Sequence, residues 1–249
     1  MHKKKIYDKT FVYDLDDTLY LCVHDYYPPI SEFIQYMLDI FEEKINHWTS
    51  VANLEEKIDK ERVVRFGFKR ARFPGSLKET YYQLCRNLGV ELDEKIADKC
   101  YEIGNKAFKK ENYFRRGLID GAQEILELHK KNKDKLVLLT KGDNRLQEGK
   151  IEALALYKYF TDNRQFIVAN KNKQIFRKIK NRFEGKKMYA VGNALASDIL
   201  PALEIGFKGI YIPMITWCYE QDTNKDLKVP KEVIVLKSLK ELVELYPSL

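Results

Sequence analysis

The chain has 249 residues, 45% of them hydrophobic and 33% charged, which is enough apolar material for a sizeable core in one or two domains and too much for a disordered segment. Lys and Arg outnumber Asp and Glu by 44 to 37, a balance of +7 that suits anionic partners without choosing between nucleic acid, a membrane surface and small anionic substrates. No apolar run approaches the ~20 residues of a membrane helix, the basic start HKKK leads only to a short run ending at Asp14, and the cysteines at 22, 85, 100 and 218 form no CxxC pair. These features predict a soluble, cytoplasmic protein without a zinc site or a disulfide framework, and with no membrane partner.

Phe11-Val-Tyr13 is a short apolar run followed at once by Asp14-Leu-Asp16-Asp17-Thr18. If the run is a strand, Asp14 stands at its carboxyl end. Asp also suits turns and helix caps, so the cluster alone reads equally well as a solvated turn. Residues 21–117 then carry helical periodicity, with Ile34, Met37, Leu38 and Phe41 on one stripe and Tyr81, Leu84, Cys85 and Leu88 on another, and no strand alternation. This predicts a helical insertion, its edges near Tyr26-Tyr-Pro-Pro29 and Phe114-Arg-Arg-Gly117, where Pro and Gly punctuate the chain. Within it, the basic stretch from Lys60 to Arg72 reads first as a solvated helix face. Arg65, Lys69, Arg70 and Arg72, with Arg115 and Arg116 at the second edge, are the cations available to an anionic substrate.

From 118 onward the pattern changes. Ala122, Ile125, Leu126 and His129, and then Ile151, Leu154, Leu156 and Tyr157, mark amphipathic helices. Between and after them come the apolar runs Leu136–Leu139, Phe166–Ala169, Met188–Val191, Gly209–Ile212 and Val233–Leu236, which read as buried strands. Alternation of this kind predicts an α/β fold, a doubly wound parallel (Rossmann-like) sheet over residues 1–20 and 118–249 with the helical insertion at 21–117. Ligands of such sheets bind at the carboxyl ends of the strands. Asp14, Thr140 and Gly192-Asn193 all fall at such ends, and Asp198 follows shortly after.

In order, DLDDT at 14–18, LLTKGD at 138–143, NKNKQIF at 170–176 and VGNALASD at 191–198 resemble the four motifs of the haloacid dehalogenase (HAD) superfamily. The first motif is specific; Thr140 or Lys171 alone would be weak, but the four in order are not. The resemblance spans the whole chain and makes the insertion similar to the family's helical cap of the first type.

That resemblance implies Mg²⁺-dependent hydrolysis of a small phosphorylated metabolite through an aspartyl-phosphate. Asp14 would be the nucleophile and Asp16 the acid/base. Thr140 would donate to a phosphoryl oxygen, with Lys141, Gly142 and Arg116 as further substrate contacts. Lys171 would balance charge, preferred over Lys173 because it lies five residues before Phe176. The metal would take a carboxylate oxygen of Asp14, the backbone carbonyl of Asp16 and the carboxylate of Asp198. Asn193 stands where many members carry Asp, which by the resemblance implies weaker metal binding and a place for Asn193 just outside the ligands.

Read singly, each residue has an ordinary meaning: Asp17 as a turn or cap, Thr140 as a β-branched strand end, Lys171 and Lys173 as solvated helix starts, Asp198 as a cap of a helix through Ile199 and Leu203, His24 as a hinge or surface residue, Trp217 and the cysteines as packing. The rival functions are a phosphomutase, a C–halogen hydrolase and a weakened binding or regulatory protein of the same fold. Asp16 and Asp198 argue for phosphorus over carbon, and no nucleic acid is expected as partner. The sequence carries no signal for oligomeric state.

Overall fold

The computed structural model describes residues 7–214 and 216–249, so the basic start at 2–5 lies outside the described residues. In chain order the elements are β1 (Tyr7–Tyr13), α1 (Val23–Phe41), α2 (Trp48–Phe66), α3 (Arg72–Leu88), α4 (Glu94–Asn105), α5 (Lys110–Arg116), α6 (Ala122–Lys131), β2 (Lys135–Lys141), α7 (Asn144–Ala153), β3 (Gln165–Val168), α8 (Lys173–Arg182), β4 (Gly185–Gly192), α9 (Leu200–Leu203), β5 (Lys208–Tyr211), α10 (Cys218–Asn224), β6 (Ile234–Val235) and α11 (Leu239–Leu245). They divide into two compact units. One runs to Leu21 and resumes at Arg116; the other spans Cys22–Arg115.

The first unit is built on a six-stranded parallel sheet of order β3-β2-β1-β4-β5-β6, flanked by helices. The order reverses between β1 and β4, so the crevice of a doubly wound sheet falls beyond the carboxyl ends of these two strands. β1 shows why its sequence makes a central strand. Val12 points to one face, among Val137, Phe176, Met188 and Ala190. Phe11 and Tyr13 point to the other, where Phe11 stacks on Tyr189 with centroids 4.7 Å apart and on His129 at 4.1 Å.

On that second face lies a buried polar chain that the apolar stripe of α6 conceals. The Tyr13 hydroxyl and His129 Nε2 are 2.7 Å apart, and His129 Nδ1 lies 2.8 Å from Asp134 Oδ2. Asp134 Oδ2 also accepts from the Tyr246 hydroxyl at 2.6 Å. Burial lowers the His129 pKa despite the pull of Asp134, so the ring bonds as a neutral imidazole.

The second unit is helical and packs its own core from α1, α2, α3 and α4, including Phe33, Met37, Phe41, Val51, Phe73, Leu77, Tyr81 and Leu84. Cys22, Cys85 and Cys100 are buried. Among the described residues no helix is long and apolar enough to cross a membrane.

Three local expectations need correction. Tyr26–Pro29 does not end an element: α1 runs through Pro28 and Pro29, because a helix with Pro29, Phe33, Met37 and Phe41 on its buried face recovers in packing what two missing N–H donors forfeit. The helix expected from Ile151 to Tyr157 breaks at Ala155, which takes φ 52° before a short 3₁₀ turn at Leu156–Lys158. The final strand is only two residues, Ile234–Val235.

Candidate active site

The carboxyl ends of β1, β2 and β4 bring the charged residues of the sheet unit together. Asp14 directly follows β1, and its backbone N–H donates to the Val191 carbonyl of β4 at 3.0 Å, which pins it at the reversal of strand order. Its side chain is buried. Lys171 donates from Nζ to Asp14 Oδ1 in a close contact and to Asp198 Oδ1 at 2.7 Å, so a single ammonium bridges two carboxylates. All three side chains are buried, Lys171 and Asp198 to 4% exposure and Asp14 to 8%.

Two buried anions and one cation leave a charge unmet. Burial, opposed by Lys171 and reinforced by Asp198 and Asp16, pushes the Asp14 pKa up to about 8. Burial works against the Lys171 charge as well, but attraction to Asp14 and Asp198 outweighs it and the net shift is upward. The ammonium therefore keeps its proton while Asp14 calls for a proton or a further cation.

On the other side of Asp14 lies the Asn193 amide. The inward atom of the Asn193 side-chain amide is 3.2 Å from Asp14 Oδ2, 3.2 Å from the Asp16 carbonyl oxygen and 3.1 Å from Thr18 Oγ1. With the amide oxygen inward, it and Asp14 Oδ2 share the Thr18 hydroxyl as donor, at 3.1 and 3.3 Å, and the Asp16 carbonyl lies beside them. Either the amide turns over and its NH₂ donates to these oxygens, or a shared cation satisfies all three. A carboxylate oxygen, a backbone carbonyl and an amide oxygen are the donor chemistry of a small hard cation such as Mg²⁺. These residues fit the ion. Among the described residues no three His, Cys, Asp or Glu side chains gather as a metal cluster.

Asp198, expected as a metal ligand, accepts at Oδ1 from Lys171 at 2.7 Å and at Oδ2 from the Ala194 N–H at 2.9 Å. It lies in a turn of π-helix at Leu195–Ile199, not at the cap of a longer helix, and α9 covers only Leu200–Leu203. Gly192 makes room for it, since a Cβ there would collide with the Asp198 side chain. Asn193, expected just outside the ligands, brings its side-chain amide to Asp14 Oδ2 and the Asp16 carbonyl. Its backbone N–H donates to Thr18 Oγ1 at 3.1 Å, tying the end of β4 to the turn after β1.

Asp16 has a side chain 27% exposed, and both its oxygens are held. Lys150 Nζ donates to Oδ1 at 2.6 Å and Gln147 Nε2 to Oδ2 at 2.9 Å. Gln147 also donates to Thr140 Oγ1 at 2.6 Å, leaving the hydroxyl proton of Thr140 to point elsewhere. Thr140 is buried inside β2, which continues through Lys141. The Lys141 carbonyl accepts from Gln147 at 3.2 Å, and the Gly142 N–H donates to the Val168 carbonyl at 3.1 Å.

Lys171 does not open α8, as its motif suggests; it precedes Asn172, whose side chain caps that helix. Lys173 is half exposed and reaches Glu204 at 3.6 Å. Asp17 has φ 58° and accepts from Thr216 Oγ1 at 2.8 Å, a turn residue. Arg116 closes α5 and is partly exposed. Arg72 is not available to a substrate: it is buried in the helical unit against Asp59, which also accepts from Ser76 Oγ at 2.6 Å.

Sequence reading missed Gln147 and Lys150. The signal was their spacing. They lie three apart on α7, next to Ile151, and all three are buried, so a polar pair occupies the inward face of an amphipathic helix.

A family model for haloacid dehalogenase-like hydrolases matches residues 9–206. Among solved structures, a haloacid dehalogenase-like hydrolase from Xanthomonas campestris is similar at 21% identity and TM-score 0.68, covering 98% of this chain and 96% of that one. The Bacillus subtilis protein YfnB, in a magnesium-bound form, is similar at 18% identity and TM-score 0.61, covering 98% and 100%. A 2-haloacid dehalogenase from Pseudomonas syringae follows the same fold at 15% identity and TM-score 0.54, covering 98% and 99%. No curated protein matches the sequence. With a family model over most of its length and a sheet of the same fold, the chain belongs to the haloacid dehalogenase-like hydrolases.

Proposed function

We propose that this hydrolase is a phosphatase that cleaves small phosphate monoesters with Mg²⁺ through an aspartyl-phosphate on Asp14. The observation that carries this reading is the Asn193 side-chain amide meeting Asp14 Oδ2 and the Asp16 carbonyl beside a nucleophile already bridged to Asp198 by Lys171. Mg²⁺ held by those three oxygens would supply positive charge between an anionic ester and an anionic carboxylate, and would lower the proton affinity of Asp14.

The chain's own residues divide the rest of the work. Asp14 Oδ attacks phosphorus as the bond to the leaving oxygen breaks, and Asp16 gives that oxygen its proton. Asp16 then takes a proton from the water that attacks the aspartyl-phosphate, releasing inorganic phosphate and restoring Asp14. The Thr140 hydroxyl, already accepting from Gln147, donates its own proton to a phosphoryl oxygen. The Lys171 ammonium balances charge that builds on the equatorial oxygens. The helical unit is assigned the family's cap role by the same reading. Attack on a carbon–halogen bond would leave Asp16 and the three converging oxygens without a task.

Incubation with a generic aryl phosphate tests this. Hydrolysis should require Mg²⁺, stop on chelation and return when the ion is restored. Turnover that survives chelation, or release of halide from a 2-haloacid in place of phosphate, would overturn the reading.

A further inference from the structure

The mechanism above uses Asp16 but does not explain what holds it. A carboxylate at a strand end with a side chain 27% exposed has room to rotate, and acid/base transfer depends on its aim. Here the aim is fixed from one helix. The Asp143 side chain caps α7, accepting from the Arg145 N–H at 3.1 Å and the Leu146 N–H at 3.3 Å. One turn on, Gln147 and Lys150 face inward and contact the two oxygens of Asp16 separately, at 2.9 and 2.6 Å. Lys150 is only 6% exposed.

We propose that Gln147 and Lys150 are positioning residues, a two-point clamp from α7 that sets the direction of the Asp16 carboxylate and couples it, through the shared Gln147 amide, to Thr140. The inference rests on the phosphatase reading for its kinetic meaning. An amide placed between Asp16 and Thr140 ties the acid/base group to the hydroxyl that grips the phosphoryl group, so a shift of either displaces the other. Lys150 fixes the remaining oxygen against rotation, and its methylene stem, buried with Gln147 and Ile151, gives the ammonium little freedom.

Two measurements decide it. In Lys150→Met, which keeps the stem, kcat for the aryl phosphate should fall about 10- to 100-fold while KM stays within about threefold. Lys150→Arg should recover part of the loss. Because Lys150 acts through Asp16, the same change in an Asp16→Asn background should cost little more, a strongly non-additive cycle. Gln147→Leu should behave alike but raise KM as well, since Thr140 loses its partner. Losses that multiply independently in the double variant overturn the clamp.

The second measurement needs no turnover. The ¹H–¹⁵N signal of the Lys150 ammonium, assigned by its disappearance in Lys150→Met, should be protected from exchange in the parent and shift or vanish in Asp16→Asn. A signal indifferent to Asp16→Asn overturns the clamp. If the parent hydrolyses no phosphate ester yet this signal responds, the phosphatase reading fails and the clamp stands.

Discussion

The two units of the chain each bury a knot of charge, and they resolve it in opposite ways. In the helical unit, Arg72 and Asp59 pair at 5% and 4% exposure, with Ser76 completing the bonds of Asp59. Glu55 sits beside them with Oε1 lacking a hydrogen-bond partner, and burial, reinforced by Asp59 and opposed by Arg72, pushes its pKa up to about 8. That knot settles internally by keeping a proton. In the sheet unit, Lys171 likewise serves two carboxylates, yet Asp14 turns its second oxygen toward two further acceptors at the ends of strands. A buried carboxylate is therefore no sign of a site by itself. A carboxylate that meets a backbone carbonyl and an amide where the fold opens its crevice is what separates the two.

The comparison predicts different failures. The largest concerns Asp14: Asp14→Asn should lower kcat by about 10⁴-fold or more, as loss of a nucleophile does. Retained turnover, measured on protein free of contaminating phosphatase, would remove Asp14 from its role. In the helical unit the penalty should appear as stability. Arg72→Met leaves Asp59 and Glu55 buried without their cation and should cost about 3–5 kcal/mol in denaturant unfolding. A loss well under 1 kcal/mol would mean that the pair contributes nothing to the packing of α2 against α3.

The pH dependence sharpens the contrast. Asp14 and Glu55 both have folded pKa values near 8, above their ordinary values of 3.8 and 4.5. The stability tied to their protonated forms is fully present below the ordinary values and is lost as pH rises through about 8. Thermal melts between pH 5 and 9 should therefore decline with pH. Glu55→Gln should flatten one part of the decline, and saturating Mg²⁺ the part due to Asp14. Melts to which Mg²⁺ makes no difference at pH 8 would count against the converging oxygens as a cation site. The smallest effect expected is at Asn193, where Asn193→Asp adds a negative ligand and should reduce the Mg²⁺ needed for half activity by roughly tenfold. An unchanged requirement would place Asn193 away from the ion.

Much of the sheet unit is legible in sequence because central parallel strands are continuous apolar runs and their carboxyl ends collect polar residues. Leu136–Leu139 and Met188–Val191 announce themselves in this way, and Asp14, Thr140 and Asn193 follow from them. What escaped depends on side-chain direction across sequence distance. Asp198 and Asn193 are near in sequence, yet a π-turn and the absent Cβ of Gly192 send Asp198 toward Lys171 and leave Asn193 beside Asp14. Gln147 and Lys150 carry no motif, and only the inward face of α7 brings them to Asp16. In the helical unit, the cations from Lys60 to Arg72 read as a surface run, and the burial of Arg72 could not be foreseen without knowing that Asp59 and Ser76 share its interface.

The account stands most directly on a trapped intermediate. Asp16→Asn should slow breakdown of the aspartyl-phosphate more than its formation. After brief exposure to aryl phosphate and Mg²⁺, the peptide containing Asp14 should gain the mass of one phosphoryl group in an acyl linkage that hydroxylamine cleaves. No such adduct, or an adduct on another residue while the parent enzyme turns over, would contradict the assignment of Asp14 as the group that bonds to phosphorus.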